Sequence, residues 1–389
     1  MLPGRTVFAE LISHVSPRKF RTCVDRYQGD YKASRFTCWD QFLCMAFAQL
    51  TYRESLRDIE ACLRAVQPKL YHLGIRARVA RSTLAEANET RDWRIYADFA
   101  QGLITMARAL YVDEPLAVDL TNTVYALDAT IIELCLSVFP WARYRRHDGA
   151  VKIHTQVDLR GVIPTIIDIT EGKRADVTFL DDLPLEAGAI YIMDRGYLDF
   201  ARLHRFTDEA AFFVTRVKRG ICFRRRMSRP VDSATGLFSD HTVGCATADA
   251  RRDYPSPLRR VHFVDPTTKK HFRFLTNNFT LPAFTITQLY KSRWQVELFF
   301  KWIKQHLRIK AFYGTSENAV KTQIWIALSM YVLVAIVRKR LALDVSLYKL
   351  LQVVSITLFE KTPISIAVSD IGSKLDDIDF SNQLQLFDL

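Results

Sequence analysis

The strongest chemical feature of this sequence is a set of four side chains at fixed spacing: Tyr290, Arg293, Glu297 and Lys304. In a continuous helix, which turns about 100° per residue, these four and Lys301 fall on one face. The other face is aromatic and aliphatic, which predicts an amphipathic helix anchored in a core, with a carboxylate held between cations. Each charged pair taken alone could also be a surface salt bridge worth about 0.5 kcal/mol or less.

Two aspartates upstream stand where apolar β-strands would hold them. Asp128 interrupts the apolar, β-branched run from Thr123 to Glu133, and Asp194 follows the apolar run from Ala189 to Met193. Burying a carboxylate in a strand is costly unless it is paired or metal-bound, so Asp128 either has such a partner or faces water at an edge. Asp194 could instead form the turn before Gly196.

The segments around these aspartates alternate between strand and helix signals. Their order, β-β-β-α-β-α-β, is that of the ribonuclease H-like fold, an α/β architecture in which the first and fourth strands are neighbours. We therefore expect Asp128 and Asp194 to converge. The predicted strands are Thr123–Glu133, Val151–Leu159, Gly161–Thr170, Ala189–Met193 and Ala211–Val217, and the predicted helices are Asp176–Leu183 and Asp199–Thr207.

The spacing of the first motif is Tyr, two residues, Arg, three residues, Glu, six residues, Lys, which is the Y-R-E-K signature. With the two aspartates, it resembles the DDE transposases of bacterial insertion sequences, of the fourth insertion-sequence family. The resemblance implies that Asp128, Asp194 and Glu297 are catalytic and hold two divalent ions. Oxygen ligands suit Mg²⁺ or Mn²⁺, and two such ions assist phosphodiester cleavage and transesterification.

The resemblance also implies double-stranded DNA as the partner, both inverted-repeat ends and target. It places Tyr290, Arg293 and Lys304 against the 5′ phosphate of the non-transferred strand, and Lys301 and Arg195 complete the candidate DNA-binding set. The implied reaction is cleavage at the element ends and 3′-hydroxyl strand transfer, usually through a hairpin, in a synaptic homodimer. Two alternatives stay open: a ribonuclease H-like nuclease that only hydrolyses, and a non-catalytic DNA-binding protein derived from a transposase.

Composition agrees with a polyanionic partner. The chain has 389 residues, and its 54 Lys and Arg side chains exceed its 42 Asp and Glu side chains, for a net charge of +12. Its 7 cysteines lack C-x-x-C spacing, which predicts reduced thiols and no zinc site. The apolar run Ile324–Val337 predicts a buried helix rather than a membrane span. We expect a bacterial, cytoplasmic, nucleoid-associated protein with no membrane segment.

The pattern predicts five segments. Residues 1–115 are expected to form a helical DNA-binding domain, in which Thr37–Tyr52 is a helix and Thr83 to Glu86 is a capping box, after which the helix continues to Tyr96. The basic residues before the box either meet phosphate or belong to a solvated loop with no ligand. Those basic residues are Arg76, Arg78 and Arg81. The other segments are a core (116–217), a β-rich basic insertion (218–277), the signature helix with the helix after it (278–344), and a C-terminal helix with an acidic tail (345–389).

The basic residues of the insertion predict a surface that contacts the phosphate backbone of DNA. The alternative is a solvent-exposed β-excursion. Relatives insert a β-domain at this place, and some use a Trp in it to stack on a flipped base. This chain has no Trp between Trp141 and Trp294. Such a role is therefore absent here or is taken by Phe or Tyr.

Overall fold

The computed structural model describes residues 5–33, 35–75, 78–116, 118–145, 148–306 and 312–369. The described chain divides into two units. One draws on Met1–Val112, Ile131–Val151 and Phe300–Ile378, and the other draws on Asp113–Thr130 and Lys152–Phe299. Arg76 and the acidic tail from residue 370 onward, for which the sequence predicted roles, lie outside the described residues.

The N-terminal region is helical, as predicted, and hydroxyl side chains begin its first four helices. Thr37 provides the clearest case, because it caps its helix in a reciprocal capping box with Asp40. Ser55 caps the next helix by accepting a hydrogen bond from the Asp58 amide at 3.2 Å. The helices are α1 (Val7–Ser13), α2 (Pro17–Arg26), α3 (Cys38–Leu50), α4 (Leu56–Ala65), α5 (Arg81–Thr90) and α6 (Arg94–Leu110).

The predicted capping box at Thr83 is wrong. Helix α5 begins at Arg81, and Ala80 precedes it without a side-chain cap, so Thr83 already lies inside the first turn. The helix ends at Thr90, where Arg91 turns into an extended conformation, so the predicted continuation to Tyr96 is also interrupted. A T-x-x-E pattern indicates a helix start only where the threonine is extended, and the pattern alone does not reveal that.

The central strands and the helix among them follow the predicted ribonuclease H-like order. In the sheet they stand β3-β2-β1-β4-β5, and β4 runs parallel to both β1 and β5. A short 3₁₀ helix, Asp176–Asp182, replaces the predicted α-helix there. The elements are β1 (Val124–Leu134), β2 (Gly149–Asp158), β3 (Ile163–Glu171), β4 (Ile190–Met193), α7 (Phe200–Asp208) and β5 (Phe212–Arg216).

The insertion is β-rich, as predicted, but it is part of the same sheet. Its last strand pairs antiparallel with β5, which extends the sheet to nine strands in the order β3-β2-β1-β4-β5-β9-β8-β7-β6. Periodicity predicts which segments are strands but not which strands pair with one another, so the sequence pattern did not indicate this continuity. The elements are β6 (Phe223–Arg229), β7 (Leu237–Cys245), α8 (Ala248–Asp253), β8 (Leu258–Val264) and β9 (His271–Thr276).

The signature segment forms two helices rather than one. α9 (Ala283–Ser292) and α10 (Trp294–His306) are separated by a turn at Arg293 alone. The amide of Arg293 donates to the Tyr290 carbonyl at 3.2 Å, and its own carbonyl accepts from the Val296 amide at 3.1 Å. These bonds span three residues instead of four, so the chain tightens at this point while Arg293 keeps helical backbone angles.

Three further helices complete the chain: α11 (Glu317–Arg340), α12 (Leu347–Thr357) and α13 (Ile364–Ser369). α11 contains the predicted buried run Ile324–Val337, and its length and composition alone would allow it to cross a membrane. However, 94% of its most apolar window is buried, which confirms the prediction of a core helix. The Tyr111 hydroxyl donates to the Ala335 carbonyl of this helix at 2.9 Å.

A buried ion pair joins the insertion to the segment that leads into α9. Arg259 of β8 and Asp240 of β7 are both buried, and two hydrogen bonds of 3.0 and 2.7 Å connect them. The same guanidinium donates to the Leu281 carbonyl at 2.6 Å, just before α9 begins. A buried guanidinium needs this complete set of acceptors, so the pair also fixes where α9 starts.

We predict that Asp240→Ala lowers the free energy of unfolding by about 3 kcal/mol, because it leaves the Arg259 charge buried without its carboxylate. Asp249→Ala, which breaks an exposed ion pair with Arg252, should cost less than about 1 kcal/mol. Urea denaturation of the three proteins provides the comparison. Equal losses in the two variants would contradict the role given to the buried pair.

Candidate active site

Two of the predicted catalytic carboxylates start from adjacent strands. In the parallel pairing of β1 and β4, Leu127 lies opposite Met193, and Asp128 and Asp194 each follow by one residue. Neighbouring strands stand about 4.8 Å apart, so the two side chains leave the sheet from nearly the same place. The expected convergence of the two strand ends is therefore present in the backbone.

Two hydrogen bonds and the close approach of Gly196 fix the turn that carries Asp194. The Asp194 carboxylate accepts from the Gly196 amide at 2.6 Å, and its backbone carbonyl accepts from the Thr215 hydroxyl at 3.0 Å. A Cβ at position 196 would stand 2.7 Å from that carboxylate oxygen, so only glycine fits there without a shift. Asp194 is thus both the turn former that the sequence suggested and a half-buried carboxylate beside Asp128.

Arg293 connects the remaining carboxylate to the first. Its Nη1 donates to Asp128 Oδ2 at 3.1 Å, and its Nη2 donates to Glu297 Oε1 at 2.5 Å. The guanidinium side chain is only 16% exposed, so both ion pairs are shielded from water. The other oxygen of Asp128 accepts from the Ala129 amide at 2.8 Å. One cation therefore bridges two acidic residues that are 169 positions apart in the chain (297 − 128).

The electrostatics of this cluster favour a proton on Asp128. Burial raises the pKa of the Asp128 carboxyl to about 7, and the charges of Asp194 and Glu297 act in the same direction, while Arg293 opposes them. Burial works against the charge on Arg293, but the neighbouring Tyr290 and the two carboxylates raise its pKa overall. The site gathers negative charge where water cannot screen it, and the guanidinium partly compensates that charge.

The donor chemistry of this cluster suits a hard divalent cation. Asp128, Asp194 and Glu297 offer carboxylate oxygens, which are the ligands that Mg²⁺ and Mn²⁺ prefer. Across the ranges that the structure describes, no three or more His, Cys, Asp or Glu side chains are gathered closely enough to hold a metal ion as they stand. The Arg293 guanidinium occupies the position of the compensating cation between two of the three carboxylates.

The other residues predicted to contact DNA differ in accessibility. Tyr290 is buried, and its ring packs against Phe274 at 4.8 Å between centroids and against the Arg293 guanidinium at 5.8 Å. Lys304 donates to the Ile131 carbonyl at 2.8 Å and is half-buried. Lys301 and Arg195 are exposed. Tyr290 therefore joins the cluster through Arg293.

Two residues of the site region could not be assigned a role from sequence. Tyr197 is buried beside the cluster, and its hydroxyl has no hydrogen-bond partner among the described residues. Asn277 accepts from the Phe213 amide at 2.9 Å and donates to the Ala211 carbonyl at 2.8 Å, which holds the two ends of β5 and β9 in register. Their contacts depend on tertiary structure, which residue type and spacing alone do not reveal.

The sheet order defines a ribonuclease H-like protein, and the three candidate carboxylates lie on β1, directly after β4 and on α10. Comparison with known families agrees. The family described as "Transposase DDE domain" matches residues 119–333, and one described as a domain of unknown function matches residues 3–76. The chain belongs to the DDE transposases of bacterial insertion sequences, and it is a DNA transposase, an enzyme that cleaves and joins DNA.

Individual relatives carry the same description. The transposase y4zB of Sinorhizobium fredii is 31% identical over 72% of this chain and 78% of the relative. A transposase for insertion sequence element IS5377 of Geobacillus stearothermophilus is 31% identical over 53% of this chain and 54% of the relative. The chain is also similar to the cryo-EM structure of the piggyBac transposase synaptic complex with hairpin DNA, at a TM-score of 0.45 and 11% identity, covering 94% of this chain and 80% of that chain.

The raised pKa of Asp128 yields a stability prediction for the metal-free protein. The folded state keeps a proton up to about pH 7 that the unfolded state releases near pH 3.8, so the free energy of unfolding falls as pH rises through this window. The Asp128→Asn variant has no titrating carboxyl at this position, so its free energy of unfolding does not fall for this reason as pH rises. The variant should therefore gain about 1 to 2 kcal/mol relative to wild type between about pH 5 and about pH 8.

Denaturation in the presence of EDTA measures this difference at each pH. Asp181→Asn is the matched control, because Asp181 is an exposed partner of Arg202 and its pKa is lowered by that arginine, so it does not titrate in this window. A difference between Asp128→Asn and wild type that stays constant with pH would contradict the electrostatic description of the site.

Proposed function

We propose that this transposase cleaves DNA at the ends of its insertion sequence and joins the freed 3′-hydroxyl to target DNA, with Asp128, Asp194 and Glu297 as its catalytic carboxylates. The observation that carries the proposal is the Arg293 bridge from Asp128 to Glu297, beside the strand pairing that brings Asp194 next to Asp128. Asp128 and Glu297 share one guanidinium, and Asp194 follows the strand next to that of Asp128; acidic residues held this near one another are unfavourable without a cation.

The three carboxylates would hold two Mg²⁺ or Mn²⁺ ions, with Asp128 shared between them and Asp194 and Glu297 each on one. Bound there, the ions would activate the attacking oxygen, stabilise the leaving oxygen and neutralise charge at phosphorus. The protein's own part is to hold these oxygens ready. The Gly196 amide fixes the Asp194 carboxylate, the Ala129 amide fixes one Asp128 oxygen, and burial limits the access of bulk water.

The cations of the signature would bind the DNA backbone beside the carboxylates. A guanidinium can grip a phosphate with two parallel hydrogen bonds, which would suit Arg293 once metal ions compensate Asp128 and Glu297 in its place, and lysines act as compact charges, which suits Lys301 and Lys304. Arg195 is exposed directly after Asp194 and would contribute a further phosphate contact. Tyr290 would act mainly by packing against Arg293, because its ring is buried.

From the Y-R-E-K spacing we infer membership of the fourth insertion-sequence family, which would imply three further features. Excision would be cut-and-paste through a hairpin, the active assembly would be a homodimer that pairs two inverted-repeat ends, and the enzyme would act in the bacterial cytoplasm at the nucleoid. The helical N-terminal region would recognise terminal DNA. Arg78 lies just before α5, and Arg81 is its first residue; both are exposed and are candidate phosphate contacts.

The decisive test is the loss of chemistry without the loss of binding. Asp128→Asn, Asp194→Asn and Glu297→Gln should each lower nicking and strand joining at least about 1,000-fold in Mg²⁺, because each removes one carboxylate ligand. Binding of the inverted-repeat duplex should change little. The substrate is a labelled duplex that carries the repeats flanking the gene, and the assay separates hydrolysis from joining to a second duplex.

Asp181→Asn is the control, because it removes a carboxylate of the same unit at an exposed ion pair. Full activity in any of the three site variants would refute the assignment. Cleavage without joining would favour a nuclease that only hydrolyses, and binding without either reaction in the wild type would favour a non-catalytic DNA-binding protein.

A second test concerns Arg195. If its guanidinium contacts a phosphate, Arg195→Ala should reduce the slope of log binding constant against log salt by about 0.9. Arg202→Ala is the matched control, since Arg202 is already paired with Asp181 and Asp199. Fluorescence anisotropy over a series of salt concentrations gives both slopes. An unchanged slope in Arg195→Ala would exclude that contact.

A further inference from the structure

One face of the insertion strands carries a cluster of basic side chains. In the antiparallel pairings, His241 lies opposite Arg260, and His262 lies opposite Arg273. Residues directly opposite each other share a face, and so do residues two apart along one strand. Because Arg260 and His262 are two apart on β8, these four side chains form two successive rows on the same face.

Two more basic residues extend the cluster by the same rule. Arg225 lies opposite Val243, two residues from His241, and His271 lies opposite Val264, two residues from His262. We name this surface the histidine face. It comprises Arg225, His241, Arg260, His262, His271 and Arg273, all of which are exposed or half-buried.

Helix α9 packs on the other side of these strands. The ring of Tyr290 contacts Phe274, which alternates with Arg273 along β9 and so points away from the histidine face. Helix α8 packs against β7, and its Arg252 is already paired with Asp249 and Asp253. The charges that act on the histidine face therefore come mainly from its own side chains.

Hydrogen bonds within the face keep some of its histidines in the neutral form. Arg260 Nη2 lies 3.3 Å from His241 Nδ1, and since an arginine can only donate, the imidazole must accept and is neutral in this arrangement. His262 Nε2 lies 3.0 Å from His271 Nδ1, so one of these two rings donates while the other accepts. At least two of the three imidazoles are therefore neutral as they are arranged.

The neighbouring charges also favour the neutral form of the histidines. Burial and the nearby Arg273 lower the pKa of His262 to about 4, and His271, Arg260 and His241 act in the same direction. Burial, Arg260 and Arg225 lower the pKa of His241, against a smaller opposing effect of Asp240. Burial, Arg273 and Arg225 lower even the pKa of Arg260. Repulsion among the cations of this face exceeds the compensation by nearby acids.

We propose that the histidine face binds the phosphate backbone of duplex DNA and that its histidines take up protons from solvent when it does so. The inference rests on the proposed function, because it requires DNA to be the partner. Phosphate oxygens only accept hydrogen bonds, so a phosphate gives His241 and His262 a new acceptor and offsets the arginine repulsion that adds to burial in lowering their pKa values. Such contacts are independent of sequence.

The sign of the pH dependence follows from linkage. DNA binding raises the histidine pKa values above those of the free protein, so the complex holds more protons than its components between the free and bound values. The binding constant therefore increases as pH falls through that window. Between about pH 8 and about pH 6, where a histidine near a phosphate titrates, we expect affinity to rise on the order of tenfold.

The experiment uses the full-length chain in EDTA, where no cleavage occurs, and a fluorescein-labelled duplex of arbitrary sequence at constant ionic strength. Anisotropy gives the binding constant at each pH. The variants are His241→Gln and His262→Gln, singly and together, because glutamine keeps hydrogen-bonding capacity without a titrating charge. His204→Gln is the control, since His204 lies on α7 and pairs with Asp208. Thermal melts of every variant verify folding.

The double variant should lose most of the pH dependence, to less than about threefold over the same range, whereas the His204 control should keep it. Arg273→Gln should weaken binding at every pH, because it removes a permanent cation. Flat wild-type binding, or an equal pH dependence in the double variant, would overturn the inference while the cleavage assay still supports the proposed function. Failure of the wild type to bind any duplex would overturn both.

Discussion

The site depends on one electrostatic constraint, the cost of holding several carboxylates together away from water. Burial raises the pKa of the Asp128 carboxyl to about 7, and the charges of Asp194 and Glu297 add to that shift. At a low effective dielectric, each added negative charge makes the next more expensive, so the cluster requires a cation. Arg293 meets that requirement with two ion pairs from one planar group, which a lysine could not match in geometry.

The remainder of the sheet serves to position Arg293. The insertion strands continue the sheet beyond β5, and the buried pair of Arg259 and Asp240 fixes the chain at Leu281, immediately before α9. From that point ten helical residues lead to the one-residue turn at Arg293. A basic insertion that could have been a separate module is therefore a structural link between the core strands and the segment that closes the acidic cluster.

The sequence predicted the parts of the fold that depend on local pattern. Strand and helix periodicity around Asp128 and Asp194 placed the core elements within a few residues, because alternation and apolar runs are properties of the chain itself. The one-residue break at Arg293 and the false cap at Thr83 were not predictable in this way, since both depend on how the backbone is held by its neighbours. The meeting of Arg293 with Asp128 is likewise a tertiary contact, and only a family resemblance suggested that these residues belong together. The catalytic roles themselves stay predictions.

Among the basic side chains that give the net charge of +12, two different environments stand out. Arg293 is saturated by carboxylates, so its charge is used inside the protein and its pKa is raised. On the histidine face, burial and then the neighbouring cations lower the pKa values of Arg260 and His262, so the arginine charge has no acid beside it among the described residues and His262 stays neutral without an external anion. The number of basic residues cannot distinguish these two environments, because they differ in whether an acid or another base lies nearby. Arg293 therefore stabilises the protein's own acidic site, whereas the basic residues of the histidine face lie among other bases, where we propose that phosphate binds.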